Sequence, residues 1–175
     1  MDCESERRPA RMLTMTSPHP ELAPLVRELE QHAAGSGWDR PAQLFALVPT
    51  ADLIAREPGL AAVLENAGAL TPVEQDDLPA TDLEDSLHQI VWGPEVIGVA
   101  AIAERLMEGG EEVRVVAAAH RDGGTWCALR MRSHDEESSV LVGPDLVPGL
   151  VELLLSTLDE GAASSAAGGD SAEQA

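Results

Sequence analysis

Two arginines and a histidine at alternate positions, Arg130, Arg132 and His134, form the densest set of side chains here that could hold a charged ligand. Residues two apart on a strand share a face. The run Leu129-Arg130-Met131-Arg132-Ser133-His134 would therefore align two guanidiniums and an imidazole, with Asp135, Glu136 and Glu137 in the loop beyond. Such a row can take an anion, because a guanidinium presents a fork of donors to a carboxylate or phosphate. The acids together with His134 make at most a weak metal set, and a solvated strand face whose charges pair with the adjacent loop accounts for the same residues. Two tryptophans also stand out, Trp38 in Gly37-Trp38-Asp39-Arg40-Pro41 and Trp92 in Val91-Trp92-Gly93-Pro94. Trp and Arg are enriched at the centres of protein interfaces, so Trp38, Arg40 and Trp92 are candidate binding residues. Each Trp equally suits a plug at the edge of a core.

Catalytic signatures are missing. Cys127 sits within a strand-like run with no helix N-terminus or base in its local sequence, which reads as a buried structural thiol rather than a nucleophile. Ser133, Ser138 and Ser139 lack a nucleophile-elbow context. Gly109-Gly110 and Gly123-Gly124 punctuate turns and do not open a helix after a strand, so they are not phosphate cradles. His19, His32, His88, His120 and His134 form no ligand pair at metal spacing. All eleven basic residues are Arg, which excludes a Schiff-base or phosphate-loop lysine. No catalytic residue, metal site or cofactor is expected.

The bulk composition narrows the class further. The chain has 175 residues, 31 acids against 11 bases and a formal charge of −20. That field repels phosphate backbones and anionic lipid, so neither nucleic acid nor a membrane surface is an expected partner. A protein with a basic surface is. Hydrophobic residues make up 44% of the chain, enough for a core, but there is one Phe and no Tyr. The interior must therefore be Leu, Val, Ile and Ala. Two cysteines, Cys3 and Cys127, cannot make a disulfide framework, and no apolar run is long enough to cross a bilayer. A cytoplasmic setting is expected; oligomeric state is left open.

These residues need elements to position them. Leu22, Leu25, Val26 and Leu29 recur at helical spacing after a Ser17-Pro18 cap, predicting a helix over 18–32. Gln43–Val48 is a buried-strand run, Thr50–Arg56 fits strand or helix, and Pro58–Asn66 suits a helical turn or two. Gly68–Ser86, with Pro72, Pro79 and six acids, resembles an acidic linker loop, and Leu87–Val91 a strand. Ile97–Met107 reads as strand, because Glu108-Gly109-Gly110 before Val113 resembles a hairpin connection. Val113–His120 and Thr125–Ser133 form a hairpin whose Asp122-Gly123 supplies the positive φ that tight turns require. Leu150, Val151, Leu154 and Leu158 stripe a helix over 147–158. The expected fold is α+β: one domain over 17–158, with an antiparallel sheet of about 4–5 strands and N- and C-terminal helices packed on one face. Residues 1–16 read as a disordered N-terminal extension, with a start at Met15 possible, and 159–175 as a disordered low-complexity tail.

Four stretches resemble an uncharacterised family of small acidic actinobacterial proteins: Gly37–Val48, Leu70–Gln75, Leu129–Asp135 and Asp145–Leu150. The resemblance implies a setting and no activity. The function expected is a non-catalytic cytoplasmic module that binds a protein partner, by the sheet face or by a groove near Trp38 and Trp92. The alternative is a small enzyme holding an anionic substrate on Arg130, Arg132 and His134.

Overall fold

The computed structural model describes residues 19–78 and 82–166. The expected extension at 1–16, the start at Met15, Cys3 and most of the expected tail lie outside these residues. Four α-helices and six strands follow in chain order: α1 (Leu22–Ser36), β1 (Gln43–Pro49), α2 (Thr50–Arg56), β2 (Leu70–Glu74), α3 (Leu83–Leu87), β3 (Gly98–Leu106), β4 (Glu112–His120), β5 (Thr125–Met131), β6 (Leu141–Gly143) and α4 (Pro148–Ala166). The architecture is α+β. All six strands join one antiparallel sheet in the order β2-β1-β3-β4-β5-β6.

The helices cover both faces of this sheet, not one. Leu22, Leu25, Val26, Leu29 and Ala33 of α1 pack on Phe45, Leu47, Ala100, Ile102, Val116, Ala118 and Ala128. On the opposite face Leu150, Val151, Leu154 and Leu158 of α4, with Leu83 and Leu87 of α3, meet Leu44, Ala46, Val99, Ala101, Val115, Ala117 and Cys127. The central strands are correspondingly buried on both sides, which is why they read as continuous apolar runs instead of alternating ones. Alanines at 100, 101, 117 and 118 have no exposure at all, and their small side chains keep the layers close.

Several local differences have physical causes. Helix α1 begins at Leu22, two residues after Pro20; it then runs past His32 and stops at Gly37, whose φ is 82°. Pro24 sits in the first turn, where its missing N–H would have no helical acceptor anyway. The acidic stretch expected to be a linker is partly folded. Its start forms β2, and Pro72 is tolerated because β2 is the sheet's edge. Its end forms α3, capped by the Asp82 carboxylate accepting from the Glu84 N–H. Leu87 therefore closes a helix, and the strand expected over Leu87–Val91 does not form. In the β4–β5 turn only Gly123 carries positive φ, at 93°; Asp122 does not, so one left-handed residue suffices. Helix α4 continues to Ala166, beyond the boundary expected at Leu158.

Candidate functional site

The α1–β1 connection turns sharply, with Gly37 at φ 82° and Asp39 at φ 62°. Asp tolerates the left-handed region better than most residues. This turn lays the Trp38 ring against two guanidiniums, with the Arg114 carbon 4.3 Å and the Arg132 carbon 5.5 Å from the ring centroid. The indole N–H donates to Asp135 Oδ2 at 3.0 Å. Arg114 is 2% exposed and donates through Nη2 to the Gly37 carbonyl, while its Nη1 is buried without a hydrogen-bond partner. Glu104 receives the backbone N–H of Asp39 at 2.8 Å and of Arg40 at 3.4 Å, and lies 3.5 Å from Arg114 Nη2.

Arg130 and Arg132 belong to the same network, but not as an open row. Strand β5 ends at Met131 and Arg132–His134 turn into a 3-10 helix, so the alternation that would align 130, 132 and 134 breaks. Arg130 points into the α1 face, where Glu30 grips it twice: Nε donates to Oε1 at 2.5 Å and Nη2 to Oε2 at 3.0 Å. Its Nη1 donates to Asp135 at 3.2 Å. Arg132 is forked on Asp39 at 2.9 and 2.8 Å and also reaches Glu112 at 3.0 Å. His134 Nδ1 meets the Ser133 hydroxyl at 2.8 Å, and that hydroxyl also donates to Glu111.

These contacts set the protonation of the cluster. The hydrogen bond from Trp38 pulls the Asp135 carboxyl below its ordinary range, with Arg130 adding to it. Arg132 does the same to Asp39, and the Ser133 hydroxyl to Glu111. Both arginines are held above their usual range, Arg130 chiefly by Glu30 and Arg132 chiefly by Asp39. The structure thus brings Trp38, Arg40, Arg130, Arg132 and His134 to one end of the sheet. The Arg130 and Arg132 guanidiniums face carboxylates of this chain. Trp92 is elsewhere: it is 5% exposed in the α4-side core, its indole N–H donating to Thr157 Oγ1 at 3.0 Å.

Sequence reasoning missed a groove between α1 and the β5–β6 edge, with a volume of about 380 Å³. Ala23, Pro24, Trp126, Ala128, Val140 and Val142 form its apolar lining, with Arg27, Glu30, Gln31 and Glu137 among the polar residues. Val142 is 57% exposed there, while its neighbour Leu141 faces the other side of the sheet. Only the Val140-Leu141-Val142 triplet, unusually apolar for a segment following four acidic or polar residues, signals it in the sequence. A second unexpected grouping lies at the start of α1, where His19, Glu21 and His120 bring their ligand atoms within 4.8 Å of one another. Cys127 is buried and burial pushes its thiol up, against a nucleophilic role.

Among the described residues, no helix is long and apolar enough to cross a membrane. No curated protein and no solved structure matches the chain. A family model described as PPA1309-like protein matches residues 22–111 and 108–159, from the first residue of α1 into the second half of α4. The whole sheet, α1 to α3 and the first part of α4 fall within that match, and the chain belongs to the PPA1309-like family.

Proposed function

We propose that this protein is a non-catalytic cytoplasmic module, of the actinobacterial type its sequence resembles, that binds an extended segment of a basic protein partner. The observation that carries the reading is the groove between α1 and β6. It is mostly apolar, the exposed Val142 side chain lines it, and β6 is the terminal strand of the sheet. A terminal strand can pair with an incoming backbone, and a neighbouring pocket can take alternate side chains of that segment. The charge of −20 selects the partner's sign and speeds its encounter. Arg27 and Glu137 flank the apolar floor and supply polar contacts at its rim.

An anion-binding enzyme built on Arg130, Arg132 and His134 has less support, since both guanidiniums already serve Glu30, Asp39, Glu112 and Asp135. Trp38 and Arg40 remain available only at the rim of that network, and Trp92 is spent in the core.

The test is selection of binders from a random displayed peptide library on the untagged protein. Selected peptides should be basic with an apolar anchor, should bind more weakly as sodium chloride rises, and should lose binding to Val142→Asp. Because Val142 is exposed, that variant keeps the fold. Peptides that bind Val142→Asp as well as the parent would refute the groove.

A further inference from the structure

The start of α1 meets the β4–β5 turn through a pair of histidines outside the Trp38 network. His19 and His120 stack with ring centroids 3.8 Å apart and planes inclined by 18°. Rings laid face to face do not converge their nitrogens on a shared ion. Each Nδ1 is instead engaged in a hydrogen bond, that of His19 with Glu21 Oε1 at 3.1 Å and that of His120 as acceptor from the Asp122 backbone N–H at 3.2 Å. Both side chains are held largely out of water, at 12% and 11% exposure. A Cβ at Gly124 would fall 2.1 Å from Cδ2 of the His19 ring, so the hairpin admits that ring only because residue 124 is glycine.

We propose that this stack is a pH-sensitive latch, which fastens the entry of α1 to the β4–β5 turn while His120 is neutral and releases it when His120 takes a proton. The hydrogen bond from Asp122 needs a lone pair on Nδ1, and an imidazolium has none. Protonation therefore sets two N–H groups against each other and places a charge in a largely dry position against a second ring. Burial already holds the His120 imidazole below its ordinary range; charge on His19 lowers it further, while Asp122 and Glu21 oppose. Asp122 Oδ2 stands 3.5 Å from His120 Nδ1, but that side chain is 74% exposed and water screens it. Glu21 is engaged with His19. From the sheet, His120 pairs with Gly98 of β3, which brings no charge. Arg121 turns the other way and donates to the carbonyls of Gly93, Val96 and Leu158.

The sign follows from linkage. A histidine in water titrates at about 6.5. His120 lies below that value when latched and returns to it when released, so the latched state is favoured above it and loses ground as pH falls beneath it. The released fraction then grows by up to about tenfold per pH unit. The Leu22 and Leu25 N–H groups donate to the carbonyls of His19 and Glu21, so the first turn of α1 is freed with the latch. Ala23 and Pro24 of that turn line the groove, and acid would loosen this wall of it; this consequence rests on the groove reading.

The experiment titrates the full chain, without a histidine tag, from about pH 7.5 to about pH 5, which stays above the ordinary carboxylate range. Imidazole NMR signals report the protonation of each histidine. Amide hydrogen exchange, corrected for its intrinsic pH dependence, reports local opening. His120 should titrate below the ordinary range, and protection of the Leu22, Leu25 and Asp122 amides should fall by roughly tenfold per pH unit beneath it. Protection at the centre of β4 should hold. His120→Asn keeps an acceptor for the Asp122 N–H and cannot titrate, so protection at the start of α1 should no longer depend on pH. If that variant folds poorly, the titration and exchange of the parent chain decide the matter. The latch is overturned if His120 titrates at or above the ordinary value, or if protection of Leu22 and Leu25 does not follow its titration. Retention of the parent's pH dependence by a folded His120→Asn overturns it equally. No peptide enters these measurements, so a groove that takes no peptide refutes the groove and leaves the latch standing.

Discussion

Replacing Glu30 by Gln tests whether the network at the end of the sheet is a buried clasp or a surface decoration. Glu30 and Arg130 have side chains 3% and 6% exposed, and the pair is bidentate at 2.5 and 3.0 Å. Removing one member of a buried pair leaves the other charge desolvated and uncompensated, at a cost of about 3–5 kcal/mol. Asp135 retains one contact to Arg130 Nη1 at 3.2 Å but is half-exposed, which moves the expectation toward ~3 kcal/mol. For a chain of this size each kcal/mol shifts Tm by roughly 2–4 °C, so Glu30→Gln should melt about 6–12 °C lower. Urea denaturation should show a lower midpoint at unchanged slope. The double replacement Glu30→Leu with Arg130→Met removes both charges and should recover to within ~1 kcal/mol of the parent. The reasoning is refuted if Glu30→Gln loses less than about 1 kcal/mol, or if the double variant is as unstable as the single one.

Three further outcomes follow from the same geometry. Gly123→Val should cost roughly 1–3 kcal/mol by denaturation, because a β-branched residue tolerates φ of 93° poorly; a neutral result would mean the turn relaxes. Raising sodium chloride from near zero to ~0.3 M should raise the melting temperature, since 11 arginines cannot neutralise 31 acids and salt screens the surplus repulsion more than it weakens buried pairs. A fall would show that attractive pairs dominate. Asp135 has a depressed carboxyl, so its contribution is present above the ordinary aspartate range near ~4 and is lost as pH falls below it. Asp135→Asn should therefore flatten the loss of melting temperature as pH falls below about 4, and an unchanged acid limb would sink that attribution.

Helical and strand identity for the strongly patterned segments was legible in the sequence. The stripe Leu22, Leu25, Val26, Leu29 specifies α1, and the apolar runs at 43–48 and 113–120 specify strands, because burial of one face leaves a period in the chain and burial of both leaves a short unbroken apolar run. The acidic charge and the aliphatic character of the core are also properties of composition alone. The tertiary structure decided the rest. That helices cover both faces depends on which strands become neighbours, and no local period records it. Strand β2 forms only because β1 offers it an edge that tolerates Pro72. Arg130 looked like half of an anion row because alternation predicts a shared face, but Glu30 occupies it from a helix a hundred positions earlier. The pairing of His19 with His120 is likewise invisible to any spacing rule, since it arises where the entry of one helix crosses the end of a distant hairpin.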